Sequence, residues 1–130
     1  MSGPHQIQNN GTATADPTLR GGIRVVRGSL TLNSGVQVSN NVGPGIRADQ
    51  NTGTSVTNIT VSNNSEEGVR VGRQSVSGFF PPLAIVGNPV ASISCDTTSL
   101  VFGDLTGITG VSCSQIERTA GPPRPGRVRD

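Results

Sequence analysis

The chain has no Trp, no Tyr and no Lys, so its Lys+Arg count of 10 is all Arg, and its aromatics are three Phe in 130 residues. Without large aromatics, a hydrophobic share of 32% buries little area per residue, and an ordinary globular core would be thin. The missing stacking side chains and a net charge of only +2 argue against a nucleic-acid partner. No apolar run approaches the ~20 residues of a membrane-spanning helix, so no membrane partner is expected. The first ten residues have neither the basic region nor the apolar core of a signal peptide. A sustained 3.6-residue apolar period is absent too, which argues against helices.

What the chain does have is Gly, Ser, Thr, Asn and Val, with β-branched residues in short alternating runs between Gly and Asn. That pattern predicts many short strands and turns. It suits a solenoid, in which small inward side chains pack on like residues of the coils above and below. A repeat bears this out within the sequence. Gly22-Ile23-Arg24 returns as Gly45-Ile46-Arg47 and as Gly68-Val69-Arg70, at a spacing of 23 each time. Val36-Gln37-Val38-Ser39-Asn40-Asn41 returns as Ile59-Thr60-Val61-Ser62-Asn63-Asn64. At a spacing of 24, Leu83, Ile85 and Asn88 continue that second unit, and Ile93 and Cys95 continue the first. The extra residue predicts an altered outer loop at Ser77-Gly78-Phe79-Phe80-Pro81-Pro82. Upstream, Ile7 to Asn10 matches Val38 to Asn41, with the surplus length in Gly11 to Gly21. Downstream, Ile108 to Cys113 echoes Ile59 to Asn63 with one added Gly.

Alternate strand residues point inward, so Ile23/Val25, Ile46/Ala48 and Val69/Val71 are predicted interior ladders, rising about 4.8 Å per coil. Asn10, Asn41, Asn64 and Asn88 form one column at a turn. There Asn tolerates the left-handed bend, and an inward amide can donate to the Asn of the next coil. These Val-Ser-Asn-Asn and Gly-Ile-Arg units resemble the right-handed parallel β-helix repeats of the pectin-lyase-like superfamily, over about residues 5 to 117. The resemblance implies an all-β, right-handed parallel β-helix of about four to five coils. It also implies an extracellular or cell-surface setting. Members include polysaccharide lyases, hydrolases and epimerases, adhesins and phage tailspikes, so the likeness specifies a fold and leaves the activity open.

Residues 1–120 are read as the β-helix and 121–130, rich in Pro, Gly and Arg, as an extended tail. Cys95 lies in an inward column and Cys113 in the following turn. The stretch between them, with Leu100, Val101, Phe102, Leu105 and Ile108, is read as a C-terminal cap. Two readings of the cysteines stand: a disulfide, which implies an oxidising compartment, or two buried thiols packed as small hydrophobes. Met1 to Pro4 offers no comparable cap. The chain is therefore expected to be the C-terminal part of a longer solenoid, or to associate with itself through the N-terminal end.

Arg24, Arg47 and Arg70 each lie between two inward residues and should face solvent on one sheet. Neighbours repel by about 0.9 kcal/mol in bulk water, so the column needs no ligand, yet its planar forks suit the carboxylates of an acidic polysaccharide. No catalytic residue, metal or cofactor is assigned. In the superfamily the lyases combine carboxylate-bound Ca²⁺ with a base and the hydrolases use clustered Asp, whereas Asp16, Asp49, Asp96, Asp104 and Asp130 share no column by this reading. His5 lies inward or frayed near the terminus, without a ligand partner. The sequence thus predicts a non-catalytic structural or binding module. The alternatives are the C-terminal part of a lyase- or hydrolase-type enzyme and a solenoid stacking through its open ends.

Overall fold

The computed structural model describes residues 4–11 and 20–118. The 121–130 tail and most of the Gly11 to Gly21 insertion lie outside the described residues. The chain folds as an all-β parallel β-solenoid of about three turns with a buried Asn ladder. In chain order the strands are β1 (Gln6–Gln8), β2 (Ile23–Val26), β3 (Ser29–Leu32), β4 (Gln37–Ser39), β5 (Ile46–Asp49) and β6 (Gly53–Ser62). They continue with β7 (Glu67–Val71), β8 (Val76–Val86), β9 (Ala91–Cys95), β10 (Leu100–Gly103), β11 (Val111–Ser112) and β12 (Ile116–Arg118).

One sheet runs β1-β4-β6-β8-β10-β12, with β3 also on β6, and the other runs β11-β9-β7-β5-β2. All pairs are parallel, because each strand lies on the equivalent strand of the next coil. The register follows the repeat: Ile23 lies on Ile46, Ile46 on Val69 and Val69 on Ile93, while Val25, Ala48, Val71 and Cys95 stack beside them. Val38 lies on Val61 and Val61 on Ile85 in the other sheet. These columns are the core. Val38, Val61, Ile93 and Val101 have no measurable exposure, and burying each such side chain stabilises the fold by about 1.5–3 kcal/mol.

The count of about three turns corrects the expected four to five. Residues 23–45, 46–68 and 69–92 are the rungs of full repeat length, flanked by β1 on one side and by a last, shorter rung on the other. The last is contracted: Cys113 falls 18 residues after Cys95 instead of 23 or 24. Val111 consequently lies on Ile93, not in the Val61 column as its sequence echo suggested. The Leu100 to Ile108 stretch is not a loop laid across the end. Its first residues form β10 on β8, and Val101 and Leu105 enter the core. The stretch Ser77 to Pro82 is likewise not an outer loop but part of β8. Phe79 lies on Val56, and the added residue is absorbed where the register shifts opposite Thr57 and Ile59, at the cis Pro81–Pro82 bond.

The turn carries a further correction. The ladder residues Asn41, Asn64 and Asn88 are not the ones with left-handed backbone. That role falls to the preceding Asn40, Asn63 and Gly87, with φ of 56°, 55° and 70°. The first residue bends the chain, and the bend turns the second side chain inward. There each Nδ2 donates to the next Oδ1: Asn10 to Asn41 at 3.0 Å, Asn41 to Asn64 at 2.9 Å and Asn64 to Asn88 at 3.0 Å. The Nδ2 atoms of Asn41, Asn64 and Asn88 also donate to the backbone carbonyls of Ile7, Val38 and Val61, one coil below. This ladder explains the Gly of each Gly-Ile-Arg unit. A Cβ at Gly22 or Gly45 would stand 2.7 Å from the Nδ2 of Asn41 or Asn64. A second polar column, unrecognised from sequence, holds the next corner. Thr52 donates its N–H to the Ser75 hydroxyl and Ser75 donates its own to Ser99, all three buried.

Candidate functional site

The outer face of the second sheet carries the Arg column. Arg24, Arg47, Arg70 and Ser94 lie on successive rungs in register. Arg24 and Arg70 are exposed, as expected. Arg47 is not: it is only 8% exposed, covered between its neighbours. Burial, and after it the charge of Arg70, pull its guanidinium below the usual arginine range, while Glu66 and Glu67 partly offset them. The column is therefore not a uniform solvated face.

Two residues further along each strand runs a second outward column of Val26, Asp49, Gly72 and Asp96. Val26 pairs with Asp49, and the next rungs follow by the 23- and 24-residue steps. Asp49 and Asp96 therefore share a column, contrary to the sequence reading, which missed it because Gly72 interrupts the pattern. Both carboxylates lean over that glycine. Asp49 Oδ1 and Asp96 Oδ2 each lie 3.5 Å from the point where a Gly72 Cβ would stand. Between the two columns is a groove of about 270 Å³ whose charged and hydroxyl lining is Arg47, Asp49, Glu67, Arg70, Arg73, Ser94 and Asp96.

The groove's side chains are fixed by one another. Glu67, buried, receives the Ser94 hydroxyl at 3.0 Å and lies 3.7 Å from Arg70 Nε. Arg73 Nε stands 3.4 Å from Asp49 Oδ1. The backbone at Arg73 is left-handed, with φ of 51°, and its N–H donates to Asp96 Oδ2 at 2.7 Å. That bond, with the hydroxyls of Thr98 and Ser99 and the Thr98 N–H, outweighs desolvation and holds the Asp96 carboxyl down at about 2. Asp96 thus presents a fixed acceptor, and Asp49 one paired with Arg73. Their facing oxygens are no more than twice 3.5 Å apart, within reach of the ~5–9 Å of glycoside-hydrolysing pairs, but Asp96 is ionised at neutral pH and is no proton donor.

The other predicted residues are placed as follows. Asn10, exposed, starts the ladder that Asn41, Asn64 and Asn88 continue in the interior. Cys95 and Cys113 form a disulfide, with Cα atoms 4.8 Å apart on successive rungs of one inward column, which points to an oxidising compartment. His5 is exposed. Among the described residues no group of three or more His, Cys, Asp and Glu could hold a metal ion, and no helix is long and apolar enough to cross a membrane.

Fold and site together define a parallel β-solenoid with an internal Asn ladder and a charge-lined outer groove. No family model matches the chain, and neither the curated proteins nor the solved structures contain a match to it.

Proposed function

We propose that this protein is a non-catalytic binding module, a right-handed β-helix of the pectin-lyase-like kind, that holds a polysaccharide chain along the second sheet. The observation that carries the reading is the groove of about 270 Å³ lined by charged and hydroxyl side chains, of which Glu67, Ser94 and Asp96 are held by hydrogen bonds and Asp49 is paired with Arg73. Pre-ordered polar groups bind without the entropy cost of immobilising them. Such a surface suits a ligand rich in hydroxyls and ring oxygens. The right-handed sense is supported by the strong preference of parallel strand crossovers for that hand. An extracellular setting agrees with the Cys95–Cys113 disulfide.

Affinity electrophoresis of the protein through gels holding single soluble polysaccharides tests the reading. Retardation in at least one gel is expected, and it should weaken when Arg70→Gln and Asp49→Asn are combined. Uniform mobility in every gel would defeat it. Rising ultraviolet absorbance on incubation with uronic-acid polymers would replace it with a lyase.

A further inference from the structure

Resting on that reading, we infer that the chain bound in the groove is electrically neutral, and that its hydroxyls enter a notch above Gly72. The charges lining the groove balance: Arg47, Arg70 and Arg73 face Asp49, Glu67 and Asp96. They are also engaged with each other. Arg70 lies against Glu67, the Arg73 guanidinium against Asp49, and the Arg73 N–H on Asp96. A polyanion entering here would have to draw Arg70 from Glu67 and then lie beside three carboxylates. A polycation meets the converse obstacle. A sugar hydroxyl, which both donates and accepts, meets neither, because it can add to the carboxylate oxygens and to the Arg70 and Arg73 guanidinium groups without breaking either ion pair.

The notch supplies an independent argument. Gly45 and Gly68 are dictated by the fold, since a Cβ at either would press on a ladder Asn and on backbone. Gly72 is not. Its φ lies outside the left-handed region, and an added Cβ would meet only ordinary contacts, at 3.5 Å from Asp49 and from Asp96. What the missing side chain does is leave the groove floor open between two carboxylates. Adjacent hydroxyls of a sugar ring, donating one to each side, fill that space.

The test compares the native protein with Gly72→Val and the milder Gly72→Ala, in gels of neutral polysaccharides (galactomannan, dextran, xyloglucan), of polygalacturonate and of chitosan, at low and high salt. The native protein should be retarded by a neutral polymer, equally at both salts. Gly72→Val should lose at least about tenfold in affinity, the scale of one or two lost hydrogen bonds to charged groups, with Gly72→Ala between the two. Thermal unfolding of both variants should match the native protein. Retardation confined to polygalacturonate or to chitosan and collapsing with salt overturns the inference, as does undiminished neutral binding by both folded variants; either result leaves the binding reading intact. The salt comparison needs no variant, so the inference stays falsifiable if Gly72→Val does not fold. No retardation in any gel defeats the binding reading, and the inference with it.

Discussion

The Asn64 side chain, 1% exposed, donates to Val38 O and Asn88 Oδ1 and accepts from both the backbone N–H and the Nδ2 of Asn41. Truncation strands several of these groups where water does not reach. Asn64→Ala should therefore cost on the order of 3 kcal/mol. Asn10→Ala, at the exposed start of the ladder, should cost under about 1 kcal/mol, because water replaces what is lost. Urea denaturation of the two variants checks the ranking, which equal losses would contradict. Asp96 gives a pH signature. Its carboxyl is held at about 2, below the usual carboxylate value, so its contribution to stability is complete above about pH 4 and disappears as pH falls towards 2. Native protein should exceed Asp96→Asn in thermal midpoint at pH 6, and the gap should close between about pH 4 and pH 2. A gap independent of pH would show that the ionised form is not what these bonds favour.

At the scale of strands and turns, the repeat is explained by pairs of residues that act on different coils. The Gly of one coil exists because the Asn of the next lies against it, as the 2.7 Å approach of a Gly45 Cβ to Asn64 Nδ2 requires. Gly45→Ala should cost about 1–3 kcal/mol by overpacking. Gly53→Ala, with open space around its Cβ, should change stability by under about 1 kcal/mol. Circular-dichroism melts of the two proteins separate these outcomes. The final rung depends on a different device. β11 has two residues and two registered pairs with β9, so the Cys95–Cys113 bond adds a covalent tie where the strand pairing is shortest. Replacing both cysteines by Ser should cost about 3 kcal/mol. Reductant should impose a similar loss on the native protein and none on the double variant, and a native protein indifferent to reductant would contradict this.

Across the whole molecule each rung touches only its neighbours, so stability is a sum along the axis. β1 pairs only with β4 and β12 only with β10 among the described strands, while β6 and β8 are paired on both sides. Amide exchange should accordingly be slowest in Ile59–Val61 and Val69–Val71 and fastest in β1 and β12, and a flat profile measured by exchange mass spectrometry would contradict it.

The sequence by itself determined the solenoid, its register and its Asn ladder. Each depends on like residues recurring at one spacing, and stacking rewards that recurrence locally: Ile23, Ile46 and Val69, or Asn41, Asn64 and Asn88. The number of full turns, the contracted last rung and the fusion of Ser77 to Pro82 into β8 depended on how unequal coils close, which spacing alone does not encode. The groove was the least legible. Arg24, Arg47 and Arg70 were visible as a column, but Asp49 and Asp96 stand two rungs apart with Gly72 between them, and Glu67 and Arg73 reach in from the ends of their strands. Only the tertiary structure decided that these charges meet, because side chains of different rungs and strand positions are brought together by the stack and by the left-handed turn at Arg73, not by the period that built it.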